Sequence, residues 1–491
     1  IEYCVQYNET HFAFVSRLME TYGIYYYFKH TADKHILVLA DGKGSHQPIP
    51  TLPVCEFAPL GERTRDKDEY VTTWMKERRF RTGKVVVNAF DFSKPTADLK
   101  TNKDAPGGHA HDKLEVYVYP NKYKKGDEQD LGQKYAAAVL HSARSEDGRR
   151  YATGAAPSLC PGGTVKLIKV KPESDNKEYL VVSTMHSFIA ESYRTGSDDA
   201  DGDSYDGSYV LQQTDIPYKA PLVTPRPVIS GPQTAMVVGP KGEEIYTDEH
   251  GRVKLKFHWD RESKGDEKSS RWVRVAQIWS GKGWGGIVIP RIGMEAVVEF
   301  IEGDPDRPLV IGTVYNGDNT PPYQLPGNKT QAGVKTRSTT GGNDGKYSEL
   351  VFEDKKDSEL VRFHAEKDYE GTVEDKETNL VKGKNKDPIK EFARETMVEK
   401  GSDKFTVKTG DQDTKIGNCQ KVDISVNQNV KVGKEIMIEA GEKITLKVMG
   451  STITIEPASI TINTPQLKTE GALANHDHGK IEMNAGLIKL N

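Results

Sequence analysis

Short alternating runs of apolar and polar residues dominate this chain, and glycine or proline separates one run from the next. The runs are rich in Val, Ile, Thr and Tyr, and the 491 residues include 45 Gly and 25 Pro. This pattern is typical of short β-strands joined by turns. Helical spacing appears in two places, residues 10–21 and 127–144. The sequence therefore predicts a mainly β protein with a few helices.

Each predicted helix has an apolar face that would pack on a sheet. In the first, Phe14, Val15, Leu18 and Met19 share a face, and Gly23 ends the run. The second has the same spacing at Leu131, Tyr135, Ala138 and Val139. The aromatic run at residues 25–28 could form a platform that stacks on bases or sugars, but without a basic patch it favours a strand buried on both sides.

Residues 233–319 contain six short strand-like segments with regular turns between them. The turns are supplied by Gly, Pro, Asp and Asn residues, for example at residues 248–251 and 303–306. The six segments are 235–238, 253–257, 272–275, 287–289, 296–301 and 309–311. So many strands in so short a stretch predict a small closed or nearly closed barrel.

The most sustained alternation follows residue 420, where apolar pairs recur about every six to nine residues. The candidate core positions of this region are Val422, Ile424, Val430, Val432, Ile436, Ile438, Ile444, Leu446, Val448, Ile453, Ile455, Ile460 and Ile462. Charged residues such as Asp423, Lys431 and Glu435 lie between them, so one face of the ladder is apolar and the other is polar. Gly433 and Gly441 permit turns.

A narrow ladder with one apolar face is marginal in water unless something covers that face. No second layer is evident in the sequence, because the intervening positions are charged. Identical chains that bury the same face around a common axis would form a needle-like oligomer. The alternative is a one-chain sandwich closed by an earlier segment.

Proline-rich stretches mark the domain boundaries. Five prolines fall within 217–232, which predicts an extended linker at 216–232, and a second linker is expected at 320–345. The resulting division is a first domain at 1–215, a barrel at 233–319 and an alternating region at 346–491.

Composition narrows the classes of partner. Lys and Arg number 68 against 72 Asp and Glu, which gives a net charge of −4 and argues against nucleic acid as a partner. No apolar run approaches the roughly 18 to 20 residues that cross a bilayer, so stable membrane insertion is not expected. The four cysteines show no short spacing, which excludes a zinc ribbon or disulfide scaffold and fits folding in a reducing compartment.

Sequence motifs for common chemistry are missing. There is no phosphate-binding loop, dinucleotide fingerprint, metalloprotease helix or hydrolase elbow. Carboxylates at Glu302, Asp304 and Asp306 lie in a turn, and in so acidic a chain their proximity is expected by chance. The thiols Cys160 and Cys419 have no evident His partner. We expect no catalytic residues and no cofactor.

Three segments have some of the residues of a metal site. His109 with His111 and His476 with His478 each place two imidazoles on one face if the backbone is extended. Both pairs lie in polar, turn-like sequence, which favours simple exposure to solvent. The acidic segment 196–207 resembles the start of a calcium loop, but the twelfth position is Val210 instead of a carboxylate. We therefore assign no metal ligand.

Three stretches of the chain resemble the VgrG spike proteins of the type VI secretion system, which are similar to the hub and spike of contractile phage tails. The first runs from residue 4 to residue 30. The second contains TDEHGRV at 247–253, FHWDR at 257–261, GWGGIVIPRIG at 283–293 and GDPDRP at 303–308. The third is the alternating run after residue 420. Together they cover nearly the whole chain.

The resemblance implies a homotrimer with a hub of β-barrel type, an OB-fold barrel and a triple-stranded β-helix needle. It further implies that the hub sits on the Hcp tube, that a PAAR-type protein caps the needle, and that baseplate and effector proteins bind. Assembly would take place in the bacterial cytoplasm, followed by secretion into or through a target envelope. The start at Ile1 suggests that part of the hub is missing. About twenty residues separate Asn319 from Gly341, too few for a lysozyme-like insertion.

Two other functions remain open on the sequence alone. A polysaccharide-active β-helical enzyme shares the repeat pattern, and a spike fused to an effector domain beyond residue 491 shares the whole chain. A passive adhesin or tail fibre shares the needle but lacks the barrel motifs. A carboxylate cluster in a cleft would favour the enzyme.

Overall fold

The computed structural model describes residues 3–59, 69–189, 204–383 and 392–468. The chain divides into two compact units, Ile1–Thr372 and Val373–Asn491. No helix among the described residues is long and apolar enough to cross a membrane.

The first unit opens with helix α1 (His11–Thr21) and a hairpin of β1 (Tyr25–His30) and β2 (His35–Ala40). The Thr10 hydroxyl caps α1 by accepting a hydrogen bond from the Ala13 N–H at 3.1 Å. Gly23, at φ +68°, ends the helix in the left-handed conformation that glycine adopts without strain. The predicted helix is confirmed, but Val15 is 49% exposed and not part of a buried face.

The prediction that residues 25–28 form a strand buried on both sides is wrong. Tyr25 and Tyr27 are buried, whereas Phe28, on the opposite face, is 46% exposed. The reason is that β1 pairs only with β2, and the described chain covers just one face of this hairpin.

The other elements that the structure describes before residue 215 include ten strands and a second α-helix. In chain order these are β3 (Gln47–Pro48), β4 (Val54–Phe57), β5 (Tyr70–Lys76), β6 (Lys84–Ala89), β7 (Thr101–Asp104), β8 (Glu115–Asn121), α2 (Gln133–Arg144), β9 (Arg150–Ala155), β10 (Gly163–Ile168), β11 (Glu178–Ile189) and β12 (Ser204–Gln213). A π-helical turn at Glu128–Gly132 precedes α2, so the predicted helix at 127–144 exists but begins irregularly.

Six of these strands close into a barrel. The sheet order is β11-β12-β9-β5-β4-β10-β3, and β10 also pairs with β11, which closes the ring. Alternate side chains fill the interior, including Val71, Val165, Tyr179 and Leu211, each at most 2% exposed. The small sheet β7-β6-β8 packs its valines against α2 beside the barrel. A hub domain of β-barrel type is therefore confirmed.

A second, smaller barrel is built from residues 233–314. Its strands are β13 (Gln233–Val238), β14 (Lys254–Phe257), β15 (Arg274–Val275), β18 (Glu295–Phe300) and β19 (Pro308–Val314), with a separate hairpin of β16 (Trp279–Ser280) and β17 (Gly285–Gly286). The order is β14-β13-β18-β19-β15, and a bridge between Val253 and Val273 joins the two ends. The predicted small barrel is confirmed.

One of its six predicted strands, at 287–289, is wrong. The glycine-rich sequence before it closes the β16–β17 hairpin, and the chain then leaves the sheet. The Val288 N–H donates to Gln277 Oε1 at 2.8 Å, and the Val288 carbonyl accepts from Gln277 Nε2 at 3.0 Å. The Gln277 side chain therefore forms the hydrogen bonds that a neighbouring strand would otherwise make with the Val288 backbone.

Two three-stranded antiparallel sheets follow the barrels, one in each compact unit. The first contains β20 (Gln331–Lys335), β21 (Glu349–Glu353) and β22 (Leu360–His364), and β20 lies within the segment predicted as a linker. The second contains β23 (Ile444–Val448), β24 (Ser451–Glu456) and β25 (Ser459–Asn463). Among the described residues, 365–383 and 392–443 contain no helix or strand.

Candidate assembly surface

The sheet β20–β22 presents one uncovered apolar face. The register aligns Val334 with Leu350 and Leu350 with Phe363, and two residues away it aligns Ala332, Phe352 and Val361 in the same manner. Residues two apart on a strand share a face, so these six side chains lie together. The five larger ones are all exposed. Among the described residues, the Tyr369 ring meets Phe363 edge to face at 5.1 Å, yet all five side chains remain exposed.

The opposite face of this sheet is satisfied within the chain. Glu349, only 4% exposed, accepts hydrogen bonds from Arg362 Nε at 3.2 Å and Nη2 at 2.9 Å, and Val351 is 1% exposed. Lys335 Nζ lies 4.0 Å from the centre of the Tyr347 ring. One face of the sheet therefore has its polar groups paired within the chain, and the other is apolar and exposed.

The loop between β20 and β21 is tied to the OB-type barrel through Glu244. Its carboxylate accepts from the Thr339 hydroxyl and from the Gly341 N–H, both at 2.7 Å. These hydrogen bonds lower the pKa of Glu244. The sheet is thus held on the barrel by polar contacts that leave its apolar face free.

The sheet β23–β25 repeats the arrangement. Its register pairs Ile444 with Ile455 and Leu446 with Ile453, and then Ile453 with Ile462 and Ile455 with Ile460. Thr445, Thr454 and Thr461 align on the other face. Leu446 is 56% exposed, and most of its apolar neighbours are likewise exposed. This second face also has no cover within the described residues.

The thirteen candidate core positions thus divide into two groups. The register brings Ile444, Leu446, Ile453, Ile455, Ile460 and Ile462 onto one face, and Val448 is paired with Ser451 at the first turn. The other six lie in the strandless segment, and each is exposed. They are Val422, Ile424, Val430, Val432, Ile436 and Ile438. Every described residue from 392 to 443 is exposed, so this segment has no core of its own in one chain.

The carboxylates at Asp304 and Asp306 are engaged in contacts between the hub and the barrel. Asp306 Oδ1 accepts from the Val5 N–H at 2.7 Å, and both carboxylates pair with Lys122, Asp304 at 3.0 Å. Arg307 Nη2 donates to the Asn121 carbonyl at 2.7 Å. These acidic groups therefore fix Val5 and the end of β8 against the barrel.

We expect Asp306→Ala to destabilise the first unit by about 1–3 kcal/mol, because it leaves the buried Val5 N–H without an acceptor. Hydrogen exchange of the Val5 amide and its neighbours measures this loss as faster local opening. Asp344→Ala, in which the original side chain is 92% exposed, is the matched control and should change stability by less than about 0.5 kcal/mol. Equal stability of the two variants would contradict the assigned role.

The predicted metal candidates do not converge on a site. His109 and His111 both lie against Phe80, with ring centres at 5.4 and 6.2 Å, and the His111 N–H donates to His109 Nδ1. His476, His478 and most of the acidic segment 196–207 lie outside the described residues. Among those that are described, no group of three or more His, Cys, Asp or Glu side chains is placed to hold a metal.

The structure brings together one imidazole pair that sequence reasoning missed. His30 and His35 stand opposite each other at the end of the β1–β2 hairpin. Their spacing of five matches two strands joined by a four-residue turn. This spacing is a weaker signal than the His-x-His pattern, which places two imidazoles on one face of a single strand.

Exposed apolar side chains also surround the β16–β17 hairpin. Ile278, Trp279, Trp284, Ile287 and Val288 are all more than half exposed, and the two tryptophan rings meet edge to face at 4.9 Å.

An open cavity of about 580 Å³ lies on the hub barrel, lined by Ser, Thr, Met, Tyr, Ala and Val side chains and by no carboxylate. Neither feature has the groups that glycoside hydrolysis requires.

Comparison with family models identifies three domain types along the chain. A phage tail baseplate hub model matches residues 1–192. A model of the type VI secretion system/phage-baseplate injector OB domain matches 242–315, and one of the bacteriophage T4 gp5 C-terminal trimerisation domain matches 332–448. A hub, an OB barrel and a trimerisation domain in this order define the hub-and-spike class of contractile machines.

Curated relatives narrow this class to one family. The type VI secretion system spike protein VgrG1b of Pseudomonas aeruginosa is 42% identical over 380 residues, which cover 77% of this chain and 51% of the relative. VgrG1a of the same organism is 42% identical over 375 residues, which cover 76% of this chain and 57% of the relative. The chain belongs to the VgrG spike protein family of the type VI secretion system. It spans about half the length of the curated relatives it matches.

Solved structures include an E. coli protein described as a component of the type VI secretion system. It matches with a TM-score of 0.38 and 18% identity, covering 63% of this chain and 62% of that chain. Family membership follows from the sequence matches, which confirm the resemblance found in the sequence.

Proposed function

We propose that this chain forms the puncturing spike of a contractile type VI secretion machine and works as a homotrimer. The observation that carries the proposal is the pair of three-stranded sheets, each with one face of large apolar side chains, most of them exposed in the single chain. Three copies that place these faces around a common axis would bury them together. The match of residues 332–448 to a trimerisation domain supports this arrangement.

The segment 392–443 supports the same assembly. Its apolar side chains alternate with charged ones, yet within one chain they are exposed and form no strand. A strand needs a backbone partner, and two further copies would supply one. We propose that these residues become strands of a triple-stranded β-helix needle, with Val422, Ile438 and the other candidate core positions facing the axis.

In the proposed domain division, residues 1–215 form the hub, 216–232 a linker, 233–319 the OB barrel, 320–345 a second linker that contains β20, and 346–491 the spike. The hub would sit on the Hcp tube, and a PAAR-type protein would cap the needle. Baseplate proteins and effectors would bind the same trimer. The protein would assemble in the cytoplasm and then enter or cross the envelope of a target cell.

The proposed role is mechanical and not enzymatic. Its support is that the two curated relatives described above are named spike proteins. Two of the three carboxylates named in the sequence, Asp304 and Asp306, form ion pairs with Lys122. The polysaccharide-active alternative has no specific observation in its favour.

Hcp release tests the proposed function in the bacterium that makes this protein. A strain whose only copy carries Ile455→Asp should release at least about tenfold less Hcp into the medium, because the substitution places charges in the buried axis. Thr454→Asp, on the opposite face of the same strand, should release Hcp as the parent does. Normal Hcp release with Ile455→Asp would contradict the proposal.

A further inference from the structure

The tip of the β1–β2 hairpin holds two imidazoles at close range. His30 and His35 are directly opposed in the register, and a hydrogen bond joins their Nδ1 atoms at 2.7 Å, one nitrogen donating and the other accepting. Their rings are 4.8 Å apart at 70°, and both side chains are exposed. This pair is separate from the apolar faces proposed to form the trimer.

The backbone fixes this juxtaposition. Residues 31–34 form a tight turn in which the Thr31 N–H donates to the Lys34 carbonyl at 2.9 Å. The Lys34 N–H donates back to the Thr31 hydroxyl at 3.2 Å. Below the pair, the Phe28 ring stacks obliquely near His30, with centres 6.2 Å apart. The turn therefore holds the two strand ends together and leaves both rings exposed to solvent.

The distance between the two Nδ1 atoms can be compared with the distance between two imidazole nitrogens that bind one metal ion. Imidazole nitrogens lie about 2.0–2.1 Å from a bound transition metal, so two of them are roughly 2.9 Å apart at a right angle and roughly 3.3 Å apart at a tetrahedral angle. The observed 2.7 Å is close to the right-angle value. Square-planar and octahedral ions such as Cu²⁺ and Ni²⁺ use that angle, whereas Zn²⁺ favours the wider one.

The geometry points to a surface site for a borderline divalent transition metal, held by Nδ1 of His30 and Nδ1 of His35. No third His, Cys, Asp or Glu converges on the pair among the described residues, so water completes the coordination. The affinity order should follow Cu²⁺ above Ni²⁺ and Zn²⁺. Binding requires both Nδ1 atoms to be unprotonated, because each must donate its lone pair to the metal.

Titration calorimetry with Ni²⁺ tests the site on the full chain at pH 8, after exposed thiols have been alkylated. The background carries His109→Ala, His111→Ala, His476→Ala and His478→Ala, which removes both pairs of histidines two residues apart. We expect one Ni²⁺ per chain. His30→Gln or His35→Gln should weaken binding at least about tenfold, since loss of an outer-sphere partner alone commonly has that effect. His11→Gln is the matched control, because its ring contacts Gln6 and no second imidazole, and it should leave binding unchanged.

Electron paramagnetic resonance of the same background protein loaded with one Cu²⁺ per chain gives a second readout that needs no substitution of His30 or His35. Two equivalent nitrogen ligands are expected. Fewer than two nitrogens, no saturable Ni²⁺ binding, or equal Ni²⁺ affinity in His30→Gln and His11→Gln would each overturn the proposal. None of these outcomes affects the trimer, so this site and the proposed function fail independently.

Discussion

Replacement of Leu446 by aspartate is expected to convert the assembled protein into single chains at micromolar concentration. Leu446 lies on the apolar face of β23–β25 and is 56% exposed in one chain, so aspartate there costs the isolated fold little. In a trimer the same substitution buries three carboxylates around one axis. Each uncompensated buried charge costs about 3–5 kcal/mol, which exceeds what a narrow interface can offset. Ile438→Asp in the strandless segment should act in the same way.

Thr445→Asp is the matched control, since it makes the same change in charge one residue away, on the polar face. It should remain trimeric in sedimentation velocity. The Leu446→Asp trimer should partly recover as the pH is lowered towards about 4, because desolvation raises the pKa of a buried aspartate and its neutral form tolerates burial. A Leu446→Asp protein that sediments as the parent does would show that this face is not buried between chains.

Arg17→Met is expected to loosen the start of the hub by about 3–5 kcal/mol of local opening free energy, the usual cost of breaking a buried ion pair. The guanidinium makes a two-pronged contact with Glu9, with Nε at 2.8 Å and Nη2 at 2.7 Å, and both side chains are under 10% exposed. Arg17 Nη2 also donates to the Val5 carbonyl at 3.0 Å. The hydrogen bond to Glu9 raises the pKa of Arg17. Removal of the guanidinium leaves a buried carboxylate without its cation.

Hydrogen exchange reports this loss locally and avoids the multistate unfolding of a large chain. Amides of α1 and of Val5 should exchange at least about a hundredfold faster in Arg17→Met, the ratio that corresponds to about 3 kcal/mol. Arg17→Met combined with Glu9→Gln should recover part of the protection, because the orphaned charge is gone. Arg261→Met, where the original side chain is 90% exposed, is the control. Unchanged exchange in Arg17→Met would contradict a structural role for the pair.

The sequence was most informative where one face of a strand is buried. In the OB barrel, Ala235 and Val237 on β13 and Ala296 and Val298 on β18 alternate in the printed sequence and are buried in the structure. The segment 287–289 has the same composition, but it was misassigned because the Gln277 side chain satisfies the backbone of Val288, eleven residues later. A pattern of hydrophobic residues does not reveal such a distant side-chain partner.

The hub barrel was beyond the reach of pattern alone. Its closure depends on β10, which pairs in parallel with β3 and β4, more than a hundred residues earlier, and on the pairing of β10 with β11. The sequence of a short strand does not indicate which distant strand it pairs with. The β-barrel of the hub was therefore predicted only from the family resemblance. β20 was missed because Gln331-Ala-Gly-Val-Lys335 has a single large apolar residue.

The assembly surface was partly predictable. The alternation selected the six residues that meet on β23–β25, because a strand of period two leaves no other face for them. The sequence did not distinguish the tight turns at residues 449–450 and 457–458, which fold this part into a three-stranded meander, from the strandless run at 422–438. The difference is whether the backbone N–H and C=O groups pair with another strand of the same chain.

Sedimentation equilibrium of the purified chain at micromolar concentration tests the central claim most directly. We expect one species with three times the mass of a single chain, stable on dilution, because the uncovered faces of β20–β22 and β23–β25 require two further copies. A stable, folded species with the mass of one chain, in which both sheets are intact by hydrogen exchange, would contradict it.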